Sequence, residues 1–223
     1  MNERLIRAGA IAGIVAIAWF LAGTAIAGGL RTNYSWVAQP ASDLGRGPHW
    51  WLFTVVLGFF ALLIAVFGLA LSQVVRNAMS GRRRRAARAS LLVAAGGAAM
   101  GAVFSEYRPG DTAVWHGILH GLGFALLMLG TIAAEYIVAP GLAQRPFSPG
   151  MTIYTRISAT VSLLLLLVDL IPTVATDTGG LLQRILLVQT FAWHIVAGAR
   201  LSAGGATTAQ RGATIQSDPA GAR

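Results

Sequence analysis

The chain has 223 residues, of which 55% are hydrophobic and only 11% charged, with a formal net charge of +9. A water-soluble domain carries about 25% charged residues, so this composition excludes an ordinary soluble fold and points to an integral membrane protein. Cysteine is absent and all 17 basic residues are arginines, which excludes disulfides, thiolate metal sites, thiol catalysis and a Schiff-base lysine of the retinal-pigment kind.

Six apolar segments follow in chain order, at about residues 5–30, 50–75, 89–104, 113–139, 152–173 and 181–201. A bilayer core of roughly 30 Å is crossed by about 20 apolar residues in a helix. The spans must be helices, because hydrocarbon offers backbone groups no water to bond. The alternation of a β-barrel strand is missing. The expected fold is therefore all-α, a polytopic membrane bundle of six transmembrane helices. The opening "MNERLIRAGAIAGIVAIAWF" resembles a signal sequence, but its apolar part is long and no small-x-small cleavage site follows. It is read as a retained first span. Residues 203–223 are small, polar and glycine-rich, and are expected to form a disordered cytoplasmic tail.

Arginine placement orients the bundle. Thirteen arginines fall at the termini and in the second and fourth connections, whereas Arg31, Arg46, Arg108 and Arg184 fall at the other end. Excess arginine marks the cytoplasmic side, so both termini are expected to be cytoplasmic in the cell (inner or plasma) membrane. The run "GRRRRAAR" reads as a topology determinant beside anionic lipid headgroups. Membrane lipids are the expected partners and nucleic acid is not. The pairs Gly9 and Gly13, Gly97 and Gly101, and Gly117 and Gly121 have the spacing that lets helix backbones approach closely. They serve packing within the bundle or, alternatively, a homo-oligomer interface.

That topology collects most of the acidic residues at the outer face: Asp43, Glu106, Asp111, Asp169 and Asp177. Asp169 and Arg184 fall at similar depth on consecutive spans, which suggests an ion pair clamping spans five and six, or an anion site using Arg184. In "DTAVWHGILHGLGF", His116 and His120 share one helix face. A protease-type zinc motif needs glutamate after the first histidine, and Gly117 stands there instead. A third ligand from Asp111, Glu106, Asp43 or His49 would be needed for zinc. The other reading is hydrogen bonding between helices. In "ASDLG", Ser42 or Asp43 is a candidate cap for a short helical turn. Tyr34, Trp36, Trp50 and Trp51 suit an interfacial aromatic belt.

These residues resemble a family, the bacterial and archaeal six-span proteins grouped as domain of unknown function 998, over roughly residues 5–201. The carriers are "QPASDLGRGPHWWLF", "RPGDTAVWHGILHGLGF" and "GGLLQRI". Ser42, Asp43, Leu44 and Gly45 match a serine-acidic-leucine-glycine signature. Asp111 and His120 match an aspartate followed by histidine, and Gly180, Gln183 and Arg184 match a glycine-glutamine-arginine element. The resemblance implies an architecture and a set of polar residues, and carries no activity. A more distant similarity is to the membrane hydrolases that include alkaline ceramidases, in which serine, aspartate and three histidines surround zinc in seven spans. This chain has six spans and another arrangement of histidines.

Three functions compete. The first is an outer polar cluster (Ser42, Asp43, Glu106, Asp111, His116, His120, Asp169, Gln183 and Arg184) that binds a lipid headgroup or small ligand, or is structural. The second is a zinc-dependent lipid hydrolase with metal at His116, His120 and Asp111, in which the metal would activate a water. The third is a small transporter, which would need ionisable groups through the bundle; only His194 approaches mid-depth.

Overall fold

The apolar runs form helices, and short connections make neighbours in sequence neighbours in space. The structure, a computed structural model, describes residues 3–106, 112–144 and 146–216, with side chains throughout except at 172–176 and 204–216. Six long helices are present: α1 (Glu3–Gly29), α2 (Trp50–Val74), α3 (Gly81–Val103), α4 (Val114–Val138), α5 (Pro149–Asp169) and α6 (Pro172–Gln216). Short 3-10 turns occupy Ala41–Gly45, Val75–Asn77 and Ala139–Ala143. No strand occurs among the described residues, and all six helices are long and apolar enough to cross a membrane. The protein is a multi-pass transmembrane helix bundle.

Each helix packs on the next, and α6 returns to α1, so the six close into a ring. The ring has a basic end, where α3 starts, and an opposite end carrying the 30–49 segment, called here the Ser42 end. Two buried clusters fill the interior. One, nearer the Ser42 end, contains Phe20, Leu44, Phe53, Phe60 and Phe191. The other, nearer the basic end, contains Phe67, Leu91, Val138, Leu142, Phe147, Met151 and Trp193. Edge-on ring contacts, Phe60–Phe191 at 4.8 Å and Phe67–Trp193 at 5.6 Å, lock α6 against α2. Edge-to-face geometry is among the favoured ones for aromatic pairs.

Glycine sets the closest approaches. A Cβ at Gly97 of α3 would collide with the Gly123 carbonyl and lie 2.5 Å from the Leu127 nitrogen, both on α4. One at Gly13 of α1 would lie 2.7 Å from the Phe67 ring and 2.8 Å from the His194 carbonyl. The expected packing role therefore holds for these helices. Gly121 does not share it, because nothing lies within 4 Å of its would-be Cβ. On α4 the glycines that meet α3 are Gly123, half a turn further round, and Gly130.

Three boundaries differ from expectation. Helix α3 starts at Gly81 rather than near residue 89. The Ser80 hydroxyl accepts from the Arg83 backbone N–H at 3.4 Å, and the arginines, good helix formers, make the first turns. Only Leu170 and Ile171 separate α5 from α6, which opens on Pro172. Proline is favoured at a first helical position, and Asp177 therefore lies in a helix, not in a loop. Helix α6 continues to Gln216, through part of the segment expected to be disordered. Proline, which would stop it, first recurs at Pro219, and residues 217–223 lie outside the described residues.

Candidate functional site

The Ser42 end is built on the 30–49 segment, which folds back over the ring instead of standing in solvent. Arg31 holds its descent. Its guanidinium donates to the carbonyls of Asp43 (2.9 Å), Leu44 (2.8 Å) and Pro48 (3.3 Å), and to that of Arg46. These bonds fix the 3-10 turn Ala41–Gly45 and bury Ser42, Asp43 and Leu44. Neither Ser42 nor Asp43 caps that turn, contrary to the expectation; the cap position is Pro40, without a side-chain bond. The Ser42 hydroxyl instead donates to Glu106 Oε2 at 2.6 Å, and Asp43 Oδ2 accepts from Gln39 Nε2 at 3.1 Å. Both side chains tie separate pieces of chain together.

Arg184 fastens the segment to α6. One of its terminal nitrogens donates to the carbonyls of Trp36 (2.8 Å), Gln39 (3.0 Å) and Gly180 (2.7 Å), and the other to the Tyr34 hydroxyl. The guanidinium lies over the Trp36 ring at 4.8 Å from its centroid, a favourable cation–π placement. The Tyr34 hydroxyl donates in turn to the Pro40 carbonyl at 2.9 Å. Burial pushes the Tyr34 phenol above its ordinary value, against the opposing pull of Arg184. Alongside, Gln183 Oε1 accepts from the Ala41 backbone N–H at 2.8 Å, and Leu181 N–H donates to the Val37 carbonyl at 2.9 Å. A Cβ at Gly180 would strike the Gln39 carbonyl. The glycine-glutamine-arginine element is thus one docking surface for the 34–41 backbone.

The expected ion pair between Asp169 and Arg184 is not formed. Arg184 reaches to the 34–41 segment, where the Trp36 and Gln39 carbonyls and the Tyr34 hydroxyl accept from it, and Asp169 is the last residue of α5. The clamp therefore joins α6 to the 34–41 segment and not to α5.

Two adjoining spaces lie beneath this lid. An outer pocket of about 280 Å³ is lined by Ser42, Trp50, Phe53, Thr54, Gly101, Phe104, Ser105, His116 and His120, among others. A narrower slot of about 40 Å³ runs deeper, lined by Phe20, Phe53, Leu57, Phe60, Phe124, Leu127 and Leu187, with Ser42, His120 and Gln183 at its mouth. Ser42, Phe53, Gly101 and His120 belong to both. The outer space approaches the size of small-molecule sites, which start near 300 Å³.

The hydrogen bonds of its walls decide what the pocket offers. His120 Nδ1 lies 2.7 Å from the Phe104 carbonyl. A carbonyl only accepts, so Nδ1 carries a proton, and in the neutral imidazole Nε2 keeps the lone pair. The Ser42 proton is committed to Glu106, and Thr54 donates to the Ala102 carbonyl at 3.0 Å. All three groups therefore present acceptors, and among the described residues no arginine lines either space. His116 packs edge-on against Trp115 and Phe104, with centroids 4.0 and 5.6 Å away. His49 is exposed and stands on a left-handed backbone at φ 60° ahead of α2, apart from the pocket lining.

Of the residues singled out from sequence, Ser42, His116, His120 and Gln183 line the two spaces, with Glu106 bonded behind Ser42. Asp43 and Arg184 hold the lid, and Asp169 lies elsewhere. Asp111, the expected third zinc ligand, lies outside the described residues, as does Arg108. Among the described residues no group of three or more histidine, aspartate or glutamate side chains is arranged to hold a metal. Sequence reasoning passed over Gln39, Thr54 and the Phe104 carbonyl. The carbonyl has no sequence signal, whereas Gln39, four residues before Asp43, could have been noticed.

Nothing among curated proteins and nothing among solved structures matches this chain. A family model described as "Protein of unknown function (DUF998)" matches residues 14–200, most of the chain and every element that builds the site, and the protein belongs to that family.

Proposed function

We propose that the Ser42 end binds an amphiphile, a membrane lipid whose headgroup occupies the outer pocket and whose first apolar atoms enter the slot. The observation that carries this reading is the shared wall: Ser42, Phe53, Gly101 and His120 border, on one side, a space that also holds Thr54, Ser105 and His116 and, on the other, an almost wholly apolar slot. The acceptors at Ser42, Thr54 and His120 select a headgroup with hydroxyl or amine donors. On the charge reading this end is extracytoplasmic and the lipid comes from the outer leaflet of the cell membrane.

Native mass spectrometry of the purified protein tests it. A lipid rich in hydroxyl or amine groups should remain bound to the wild type and be lost from Thr54→Val and His120→Phe, both still folded by thermal melting. Equal retention by all three proteins would refute the reading.

One observation favours a zinc-dependent lipid hydrolase as a second reading. The Phe104 carbonyl fixes the His120 tautomer that leaves Nε2 free, the second-shell arrangement typical of a metal-ligating imidazole. With His116 and Asp111 it would make three ligands and leave a position for water. Stoichiometric zinc in the purified protein, and a melting temperature lowered by chelator, would support this reading. A metal-free protein whose melting is indifferent to added zinc would end it.

A further inference from the structure

The second concentration of buried polarity lies inside the ring, toward the basic end and away from the Ser42 pocket. Glu135 of α4 is fully buried, and neither of its carboxyl oxygens has a hydrogen-bond partner. Across from it on α5, Thr155, Ser158 and Ser162 are buried on one face, at the three- and four-residue spacing of a helix stripe. Thr155 is bonded to Trp193, but the hydroxyls of Ser158 and Ser162 are unpartnered. Ser158 lies close to the Glu135 carboxyl, without a directed hydrogen bond between them. Val138, Leu142, Phe147 and Met151 pack at this end of the ring and close it off.

Natural interiors leave few polar atoms unbonded, and an ionised carboxylate alone in an apolar medium is untenable. An intramembrane ionisable residue without a partner is by default a functional site. Neighbouring charges do not complete this one. Arg84 and Arg88 on α3, Arg156 on α5 and Arg200 on α6 lie on the surrounding helices, and none of them bonds the Glu135 oxygens. His194 of α6 is equally buried, but its ring lies on Phe67 and Phe191, at 4.7 and 5.1 Å, on the side of α2. The oxygens of Glu135, Ser158 and Ser162 are hard donors, which suit a proton or an alkali cation and not a soft metal.

We propose that Glu135, with the hydroxyls of Ser158 and Ser162, forms an occluded site for one monovalent positive charge, a proton or an alkali cation, separate from the Ser42 pocket. A hydrophobic carbodiimide, which attacks protonated carboxyls in apolar surroundings, tests it on the intact wild-type protein in detergent, with mass spectrometry locating the adduct. Labelling at Glu135 is expected. If the occupant is an alkali cation, sodium or potassium protects the residue at fixed pH and choline does not. If it is a proton, labelling falls as pH rises from about 5 to 9 whatever the salt. Ser162→Ala, checked by thermal melting, should shift the half-protecting cation concentration or the labelling profile about tenfold, the worth of one hydrogen bond to a charged group. Absent labelling, or labelling indifferent to both pH and cations, overturns the proposal.

Discussion

The two polar regions of this bundle are built on opposite terms. At the Ser42 end nearly every donor has an acceptor. Arg31 and Arg184 between them occupy backbone carbonyls from residue 36 to residue 48, and Ser42, Tyr34, Thr54, Gln39 and Gln183 are all engaged. Inside the ring, Glu135, Ser158, Ser162, Thr190 and His194 are as deeply buried and lack partners. The difference teaches what each region is for. Satisfied polarity holds a loop in one shape and leaves a defined pocket beneath it. Unsatisfied polarity in an apolar interior is a standing cost to stability.

The largest test of the satisfied half is Arg184→Ala. It removes bonds to Trp36, Gln39, Gly180 and Tyr34 together, and should lower stability in detergent by roughly 3 kcal/mol or more. Asp169→Asn should change little, since the two do not pair. Equal losses in denaturant titrations would restore the ion pair and break the comparison.

Next comes a contrast within the buried polar face. Thr155→Val strips the Trp193 indole of its acceptor and should cost about 1–2 kcal/mol. Thr190→Val removes a hydroxyl that bonds to nothing, and should be neutral or raise the melting temperature slightly. Were both substitutions equally harmful, Thr190 would have a hidden partner and the interior would be less starved than its geometry says.

Ser42→Ala sharpens the boundary between holding and binding. It leaves Glu106 without its donor and should cost about 1 kcal/mol in melting experiments, while also altering the mouth of the slot. A loss of bound lipid larger than the loss of stability would mark Ser42 as part of the binding wall.

Smallest is the effect of pH on Tyr34. A phenol whose folded value is raised contributes stability that is complete below its unfolded value, near 10, and is lost as pH rises through the folded value. The wild type should therefore melt progressively earlier above about pH 10, and Tyr34→Phe should flatten that decline. An unchanged slope would mean that the phenol is better solvated than its place under Arg184 indicates.

Much of this was legible in the residues. The six apolar runs gave the helices because hydrocarbon leaves the backbone no alternative. Ser42, His116 and His120 stood out because ionisable and hydroxylated residues are scarce in such a chain. The Asp169 and Arg184 pairing failed for a physical reason: depth along two helices is readable from sequence, but the direction in which a long side chain turns is not. Arg184 had backbone carbonyls to reach, and a carbonyl leaves no mark in a sequence. The α5 stripe of Thr155, Ser158 and Ser162 was present in plain spacing, hidden inside a run that looked merely apolar.

What the sequence by itself determined is the class of the protein, the number of its spans and the scarcity of its polar residues, because these follow from transfer free energies counted one residue at a time. What only the tertiary structure decided is which polar groups meet. The lid of residues 34–48 exists because Gly180 admits the Gln39 carbonyl and Arg184 captures its neighbours. The buried carboxyl of Glu135 comes to lie by Ser158 because α4 and α5 turn their rare polar faces to each other. Both depend on close approach between segments distant in the chain, which no local pattern encodes.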